Sequence, residues 1–517
     1  MIPQLHPVMF AGTGSDVGKS LVAAAFCRIF LQDGYRPAPF KAQNMALNSY
    51  VTADGLEMGR AQAVQAEAAG LDCHTDMNPL LLKPQSDHTS QVILHGKPIG
   101  NKSAREFFSE AEGKASKKDA SKASSLSMLN AKLREEVCLA FDRLAARFNP
   151  IVMEGAGSIS ELNLRDTDLV NMPMARYAGA DVVLVADIDR GGVFASVYGS
   201  IALQTPEDRK RIKGIIINKF RGDLSLFDGG RHLLEELCGV PVLGVIPYMT
   251  DIHIEEEDSV ALAQKSTHLS AAALRLQVAV VMLRHISNYT DFDALEQDAR
   301  LHVFYTSNVD DLRRADIIIL PGTKSTLSDL YELRRNGCAQ AIVQAHRQGA
   351  TVLGICGGYQ LMGREVCDPG HVEGSIERLP GLGLLPVITT IGGEKLTRQV
   401  ECTMLHGDAG KARLRGYEIH MGDTTPLEEP SPLLVMGNGQ TDGYYANDRC
   451  MGTYVHGILD NQPFVDYLLA PFKDKIDKTV KPFDYQAFKE EQYDKLADYV
   501  RRYVDMPRFY QILTAND

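Results

Sequence analysis

The sequence predicts two α/β domains in tandem, each built on a parallel sheet. Through the first 250 residues, short apolar runs alternate with longer amphipathic ones, the pattern of repeated βαβ units. A strand candidate at 7–12 runs into Gly12-Thr13-Gly14-Ser15-Asp16-Val17-Gly18-Lys19-Ser20 and then into a helix. Much further on, the apolar run Val352-Leu353-Gly354-Ile355 stops at Cys356 and continues as Gly357-Gly358-Tyr359-Gln360.

Taken in order, the strand candidates of the first half are 7–12, 36–41, 150–154, 181–187, 213–219 and 241–247. Several end in small or polar residues, where an open α/β sheet keeps its ligands. Residues 109–127 are rich in Ser, Lys, Ala and acids without an aromatic anchor, and read as a surface loop or frayed helix. The chain then turns acidic at Glu255-Glu256-Glu257-Asp258 and afterwards small and polar. These features give a first domain over 1–250 and a linker over 251–276. A fresh α/β pattern starts at Gln277-Val278-Ala279-Val280-Val281 and gives a second domain over 277–463. The tail, 464–517, carries Tyr467, Phe472, Tyr493, Tyr499 and Tyr503 among many charges, and is expected to form helices packed on the second domain.

Composition narrows the function class. Hydrophobic residues at 44% and charged residues at 23% are those of an ordinary globular protein. A net charge of −12 argues against nucleic acid or an acidic membrane surface as the main partner. Nine cysteines stand singly, with no CxxC pair and no zinc spacing, which suggests free thiols in a reducing compartment. No signal-peptide pattern and no membrane-length apolar run is present. A cytoplasmic enzyme is expected.

The stretch from Gly12 to Ser20 has the context of a phosphate loop, strand before and helix after. Backbone N–H groups of Gly12, Thr13, Gly14, Ser15, Asp16, Val17 and Gly18 are the candidate cradle for ATP phosphates. Lys19 supplies charge, and the Ser20 hydroxyl is a candidate Mg²⁺ ligand. Five residues separate Gly12 from Gly18, where the standard loop has four. Lys41, at the end of the second strand, is a further ATP candidate or a solvated strand-end lysine. Glu154 ends the buried strand Ile151-Val152-Met153, well placed to hold Mg²⁺ directly or through water, or else to cap the next helix. Asp54 and Glu57 are weaker metal candidates.

In the second half, Cys356 sits where a strand turns sharply into a helix, the nucleophile-elbow arrangement with sulfur in place of a hydroxyl. A thiol needs a base to be substantially thiolate at neutral pH. Gly452-Thr453-Tyr454-Val455-His456-Gly457, a short strand ending in histidine a hundred residues later, offers one. The bland alternative is that Cys356 is a small buried hydrophobe. His420 and Glu418, in Gly416-Tyr417-Glu418-Ile419-His420, bind substrate or glutamine, or are structural.

The order of motifs resembles the cobyric acid synthase family nearly end to end. The resemblance rests on Lys41-Ala42-Gln43-Asn44-Met45-Ala46-Leu47-Asn48-Ser49, Met77-Asn78-Pro79-Leu80-Leu81-Leu82-Lys83-Pro84 and Asp187-Ile188-Asp189-Arg190-Gly191-Gly192-Val193-Phe194. It continues through Ile217-Asn218-Lys219-Phe220-Arg221-Gly222-Asp223, Leu320-Pro321-Gly322-Thr323-Lys324-Ser325-Thr326 and the segment from Gly416 to His420. It implies a dethiobiotin synthetase-like ATPase domain followed by a class I glutamine amidotransferase-like, flavodoxin-like domain. It also implies the reaction: ATP- and glutamine-dependent amidation of the b, d, e and g carboxylates of (adenosyl)cobyrinic acid a,c-diamide. Cys356 would be the nucleophile and His456 the proton shuttle, with the N–H of Gly357 and one near Gly322 stabilising the oxyanion. The usual class I triad has a glutamate two residues after the histidine; here that position is Ile458. The resemblance therefore implies a Cys-His dyad, with the imidazole oriented by another group. The chain departs from the pattern in the length of 109–127 and in Pro173, where the family leads one to expect glycine. Two other readings stand beside this one: the sister cobyrinic acid a,c-diamide synthase, and a regulatory P-loop ATPase carrying an inactive glutaminase-like module.

Overall fold

All six strands expected in the first half form, and they pair as one parallel sheet. They are β1 (Val8–Gly12), β2 (Ala38–Phe40), β3 (Ile151–Glu154), β4 (Asp181–Asp187), β5 (Ile212–Phe220) and β6 (Val242–Pro247), in the order β6-β5-β4-β1-β3-β2. The computed structural model describes residues 3–84, 89–103, 120–165, 167–255, 265, 275–407, 412–477, 479–480 and 483–514. The chain divides into two compact units, one of residues 1–46, 57–255 and 488–517, the other of 47–56 and 256–487.

In the first unit β1, β3 and β4 are buried along their whole length, which is why they read as unbroken apolar runs rather than alternating ones. Register brings the ends of three strands together. Phe10 pairs with Glu154, and Met153 pairs with Phe40. The phosphate loop after β1, the Glu154 carboxylate and Lys41 thus leave neighbouring strands at the carboxyl edge of the sheet, where such sheets bind ligands. Helix α1 (Lys19–Gln32) follows the loop and buries Phe26, Ile29 and Phe30 against the sheet. Helix α2 (Arg60–Ala68) carries Gln62 and Gln65, both fully buried.

The second unit is built on β7 (Leu276–Val281), β8 (Leu301–Thr306), β9 (Ile317–Leu320) and β10 (Thr351–Ile355). A long antiparallel hairpin follows, β11 (Val387–Met404) and β12 (Arg413–Pro426), and then β13 (Tyr444–Asn447) and β14 (Cys450–Thr453). The main sheet has the order β8-β7-β9-β10-β14-β13, parallel except for the edge strand β13. Leu320 pairs with Gly354, and Ile355 with Thr453. The loops after β9, β10 and β14 therefore emerge side by side. The short helix α3 (Gly357–Met362) begins immediately after Cys356.

One expectation is corrected. Helices α4 (Tyr485–Tyr503) and α5 (Met506–Thr514) do form in the tail, but from residue 488 onward it belongs to the first unit. The reason is apolar: Phe509 is fully buried, its ring 4.3 Å from that of Phe26. Lys489 and Tyr493 reach Glu67 at 2.6 and 2.8 Å. Pro173 is accommodated in the first turn of the helix Met172–Ala178, where a missing N–H costs nothing. Residues 109–119 of the Ser/Lys-rich stretch and most of the expected linker lie outside the described residues; from Ala120 the chain is helical. Among the described residues no helix is long and apolar enough to cross a membrane.

Candidate active sites

In the first unit the loop from Gly12 to Ser20 wraps the start of α1. Gly18 caps the helix at φ 93°, a left-handed conformation that glycine adopts without strain. The Lys19 ammonium lies across the loop, donating to the carbonyls of Gly14 (2.9 Å) and Gly157 (3.0 Å). Thr13 N–H donates to Val185, the Val17 carbonyl accepts from Asn218, and Ser15 is exposed. The Asp16 side chain is turned to cations, pairing with Arg190 and lying 3.6 Å from Lys219.

Glu154 gathers the rest. One carboxylate oxygen accepts from Lys41 Nζ at 2.7 Å and from Ser20 Oγ at 2.8 Å; the other accepts from Gln65 at 2.6 Å and Gln62 at 3.3 Å. Burial pushes this carboxyl up, but the Lys41 ammonium and the hydrogen bonds from Lys41, Gln65 and Ser20 prevail and hold it below the usual carboxylate range. Because the exposed Ser20 hydroxyl gives its proton to Glu154, its oxygen lone pairs are open to a cation. The donor set, a hydroxyl backed by an ionised carboxylate, fits a hard ion such as Mg²⁺ that also binds phosphate. Among the described residues no three His, Cys, Asp or Glu side chains converge as a metal cluster. The weaker metal candidates lie elsewhere. Asp54 is exposed in the second unit, and the buried Glu57 takes the Lys83 ammonium at 2.5 Å.

In the second unit the elbow has its expected strain. Cys356 has φ 53° and ψ −112°, rare for a residue with a side chain and the kind of outlier that marks functional turns. Its sulfur lies 3.7 Å from the Ile419 carbonyl and within electrostatic reach of the His456 imidazole. Gly322 closes in from the neighbouring loop: a Cβ there would stand 3.2 Å from Cε1 of His456. Gly357 contributes the first N–H of α3, a group with no partner inside the helix. The structure thus brings Cys356, His456, Gly322 and Gly357 together.

It also supplies the group that orients the imidazole. Asp291, in the loop after β7, accepts from His456 Nδ1 at 2.7 Å with one oxygen and from the Gly457 N–H at 3.0 Å with the other. His456 is 1% exposed. Burial opposes a charged imidazole there, but the Asp291 carboxylate and the Cys356 sulfur outweigh it and raise the His456 pKa to about 10. The site therefore favours an imidazolium held by the Asp291 carboxylate.

Of the two residues left open on β12, Glu418 pairs with Arg398. His420 donates from Nδ1 to Gly422 at 2.9 Å and stacks on Tyr454 with ring centroids 3.7 Å apart. Burial foremost lowers its pKa, so it is neutral.

Comparison with known proteins agrees with this two-part geometry. Residues 8–260 match the family described as the CobQ/CobB/MinD/ParA nucleotide binding domain, and 277–464 the CobB/CobQ-like glutamine amidotransferase domain. Over 100% of both chains the protein is 68% identical to a cobyric acid synthase of Bacteroides fragilis and 64% identical to one of Phocaeicola vulgatus. A cobyric acid synthase of Syntrophobacter fumaroxidans is 47% identical over 99% of each chain. The chain belongs to the cobyric acid synthase family.

For this member of the cobyric acid synthase family, sequence reasoning reached the phosphate loop, Lys41, Glu154, Cys356 and His456. It missed Asp291, Gln62 and Gln65. Asp291 follows a strand of the parallel sheet, a position that flags a ligand loop, but 165 residues separate it from its histidine. Gln62 and Gln65 sit on a helix of mixed composition, and only the fold turns both amides toward Glu154.

Proposed function

We propose that this chain makes cobyric acid from (adenosyl)cobyrinic acid a,c-diamide, amidating the b, d, e and g carboxylates with one glutamine and one ATP each. The observation that carries the reading is the line Asp291–His456–Cys356 beneath a strained elbow, in a chain similar to cobyric acid synthases along its whole length.

The Cys356 sulfur attacks the glutamine amide carbon. The oxyanion that forms is met by the Gly357 N–H and backbone at Gly322. His456 gives its proton to the departing ammonia, leaving a thioester; it then draws a proton from water, whose oxygen displaces the sulfur and releases glutamate. Asp291 holds Nδ1–H, so the working nitrogen stays turned to sulfur. In the first unit the corrin carboxylate attacks the γ-phosphate of ATP, giving an acyl phosphate and ADP, and ammonia displaces phosphate from it. Lys19 and Lys41 neutralise phosphate charge, and Ser20 with Glu154 would hold Mg²⁺, which screens the phosphates.

A regulatory ATPase with a passive binding module is disfavoured, because such a module has no use for a strained cysteine near a buried imidazole held by an aspartate. The sister diamide synthase is disfavoured by the full-length likeness to cobyric acid synthases. The test is the nitrogen donor. Cys356→Ala should abolish amidation with glutamine and retain it with ammonium salts at raised pH. Equal activity with both donors, or equal loss, contradicts the assignment of Cys356.

A further inference from the structure

Residues 47–56 follow directly on the strand Gln43–Met45 of the first unit, yet they pack in the second. There they lie against the glutaminase residues. The Ser49 N–H donates to Asn288 Oδ1 at 3.3 Å. With its oxygen held that way, the Asn288 amide nitrogen is turned to His456, 3.5 Å from Nδ1 and 3.4 Å from Nε2. Asn288 itself is buried in the left-handed conformation, φ 52°. The Tyr50 ring lies 6.0 Å from that of Tyr417, and the Tyr417 ring is stacked on the His456 imidazole at 5.2 Å. Val51 is fully buried with Tyr417 and Ile419, whose carbonyl faces the Cys356 sulfur. The Val51 carbonyl accepts from Gln399 on β11. The turn is closely fitted: Gly55 has φ 74°, and a Cβ there would meet the Thr397 carbonyl at 2.9 Å.

Both ends of this segment are tied by short lengths of chain to the nucleotide site. Upstream, Lys41 binds Glu154 and Asn44 binds Gln62; downstream, Gln62 and Gln65 bind Glu154. A change in the Glu154 network on nucleotide or carboxylate binding therefore has a covalent route, a few residues long on either side, to the groups that hold His456.

We propose that residues 49–51 are a positioning strap of the glutaminase site, holding Asn288 and Tyr417 against His456 so that glutamine hydrolysis responds to occupancy of the ATP and corrinoid sites. This rests on the amidotransferase reading above. The strap touches neither glutamine nor sulfur in this scheme; it fixes the ring that does the proton transfer. Its effect belongs in kcat, since an ångström of misplacement of a catalytic group can cost ~10²-fold in rate.

Two full-length variants test it. Asn288→Gly removes the amide while keeping a residue at ease at positive φ. Gly55→Val displaces the turn while substituting none of the residues around His456. Glutaminase kcat and KM are measured with and without ATP plus cobyrinic acid a,c-diamide, alongside ammonia-dependent amidation. The proposal expects the wild type to be stimulated by ATP and acceptor. It expects both variants to lose that stimulation and at least ~10-fold of the stimulated kcat, with the KM for glutamine and the ammonia-dependent rate near wild type. It is overturned if the wild type shows no stimulation, or if both variants keep wild-type kcat and stimulation. It is also overturned if the loss is all in KM, which marks the segment as mere packing. Failure of the underlying reading looks different: the wild type itself hydrolyses no glutamine.

Discussion

At the scale of single residues, the second unit is organised around the charge on His456. Asp291 provides what the position after Gly457 lacks, and it does so twice over, through the imidazole and through the Gly457 N–H. The same carboxylate that orients the ring is the leading influence raising its pKa to about 10 against burial. The sign of a pH effect follows. His456 must be charged to protonate departing ammonia, so glutaminase activity falls as pH rises through its pKa. In Asp291→Asn burial prevails, the pKa drops, and the alkaline limb of the rate profile moves to lower pH. The kcat for glutamine hydrolysis should fall by ~10²-fold or more, the usual weight of an oriented acid–base group, while ammonia-dependent amidation is spared. A pH–rate profile identical to wild type would remove Asp291 from this role. The first unit has a parallel logic: Glu154 is kept ionised in a buried place by Lys41, with Gln65 and Ser20 completing its hydrogen bonds.

Among elements, what was legible in the sequence follows from how each one is buried. Strands β1, β3, β4 and β10 are covered on both faces, so they stand out as continuous apolar runs that stop at functional residues. The hairpin of β11 and β12 carries Arg398, Glu401, Arg415 and Glu418 among its apolar residues and reads as irregular sequence. Its importance comes from packing: Tyr417 and His456 exchange backbone hydrogen bonds at 3.0 and 2.8 Å, fixing the strand end that bears the base. The segment 47–56 was opaque for a similar reason, because nothing in its polar run says which unit buries it. The tail was misplaced because helices rich in aromatics give no sign of the partner they cover. Phe509 decides that case, with its ring 4.3 Å from that of Phe26 and 6.4 Å from that of Phe10. Phe509→Ala should cost ~3–5 kcal/mol, lowering the denaturant midpoint of the first unit and weakening ATP binding. An unchanged midpoint would mean the tail is not part of that core.

For the whole molecule, the chemistry explains why one chain carries both halves. A carboxylate is a poor acceptor for ammonia until ATP activates it, and ammonia at neutral pH is mostly the unreactive ammonium ion. Generating it from glutamine on the chain that also makes the acyl phosphate meets both difficulties. That account makes its central claim about the acceptor. The most direct test is mass spectrometry of the corrin products after incubating the wild-type protein with cobyrinic acid a,c-diamide, glutamine, ATP and Mg²⁺. The account predicts a ladder of partially amidated corrins converging on cobyric acid. Turnover of cobyrinic acid with no change in the diamide, or no corrin product at all, would contradict it.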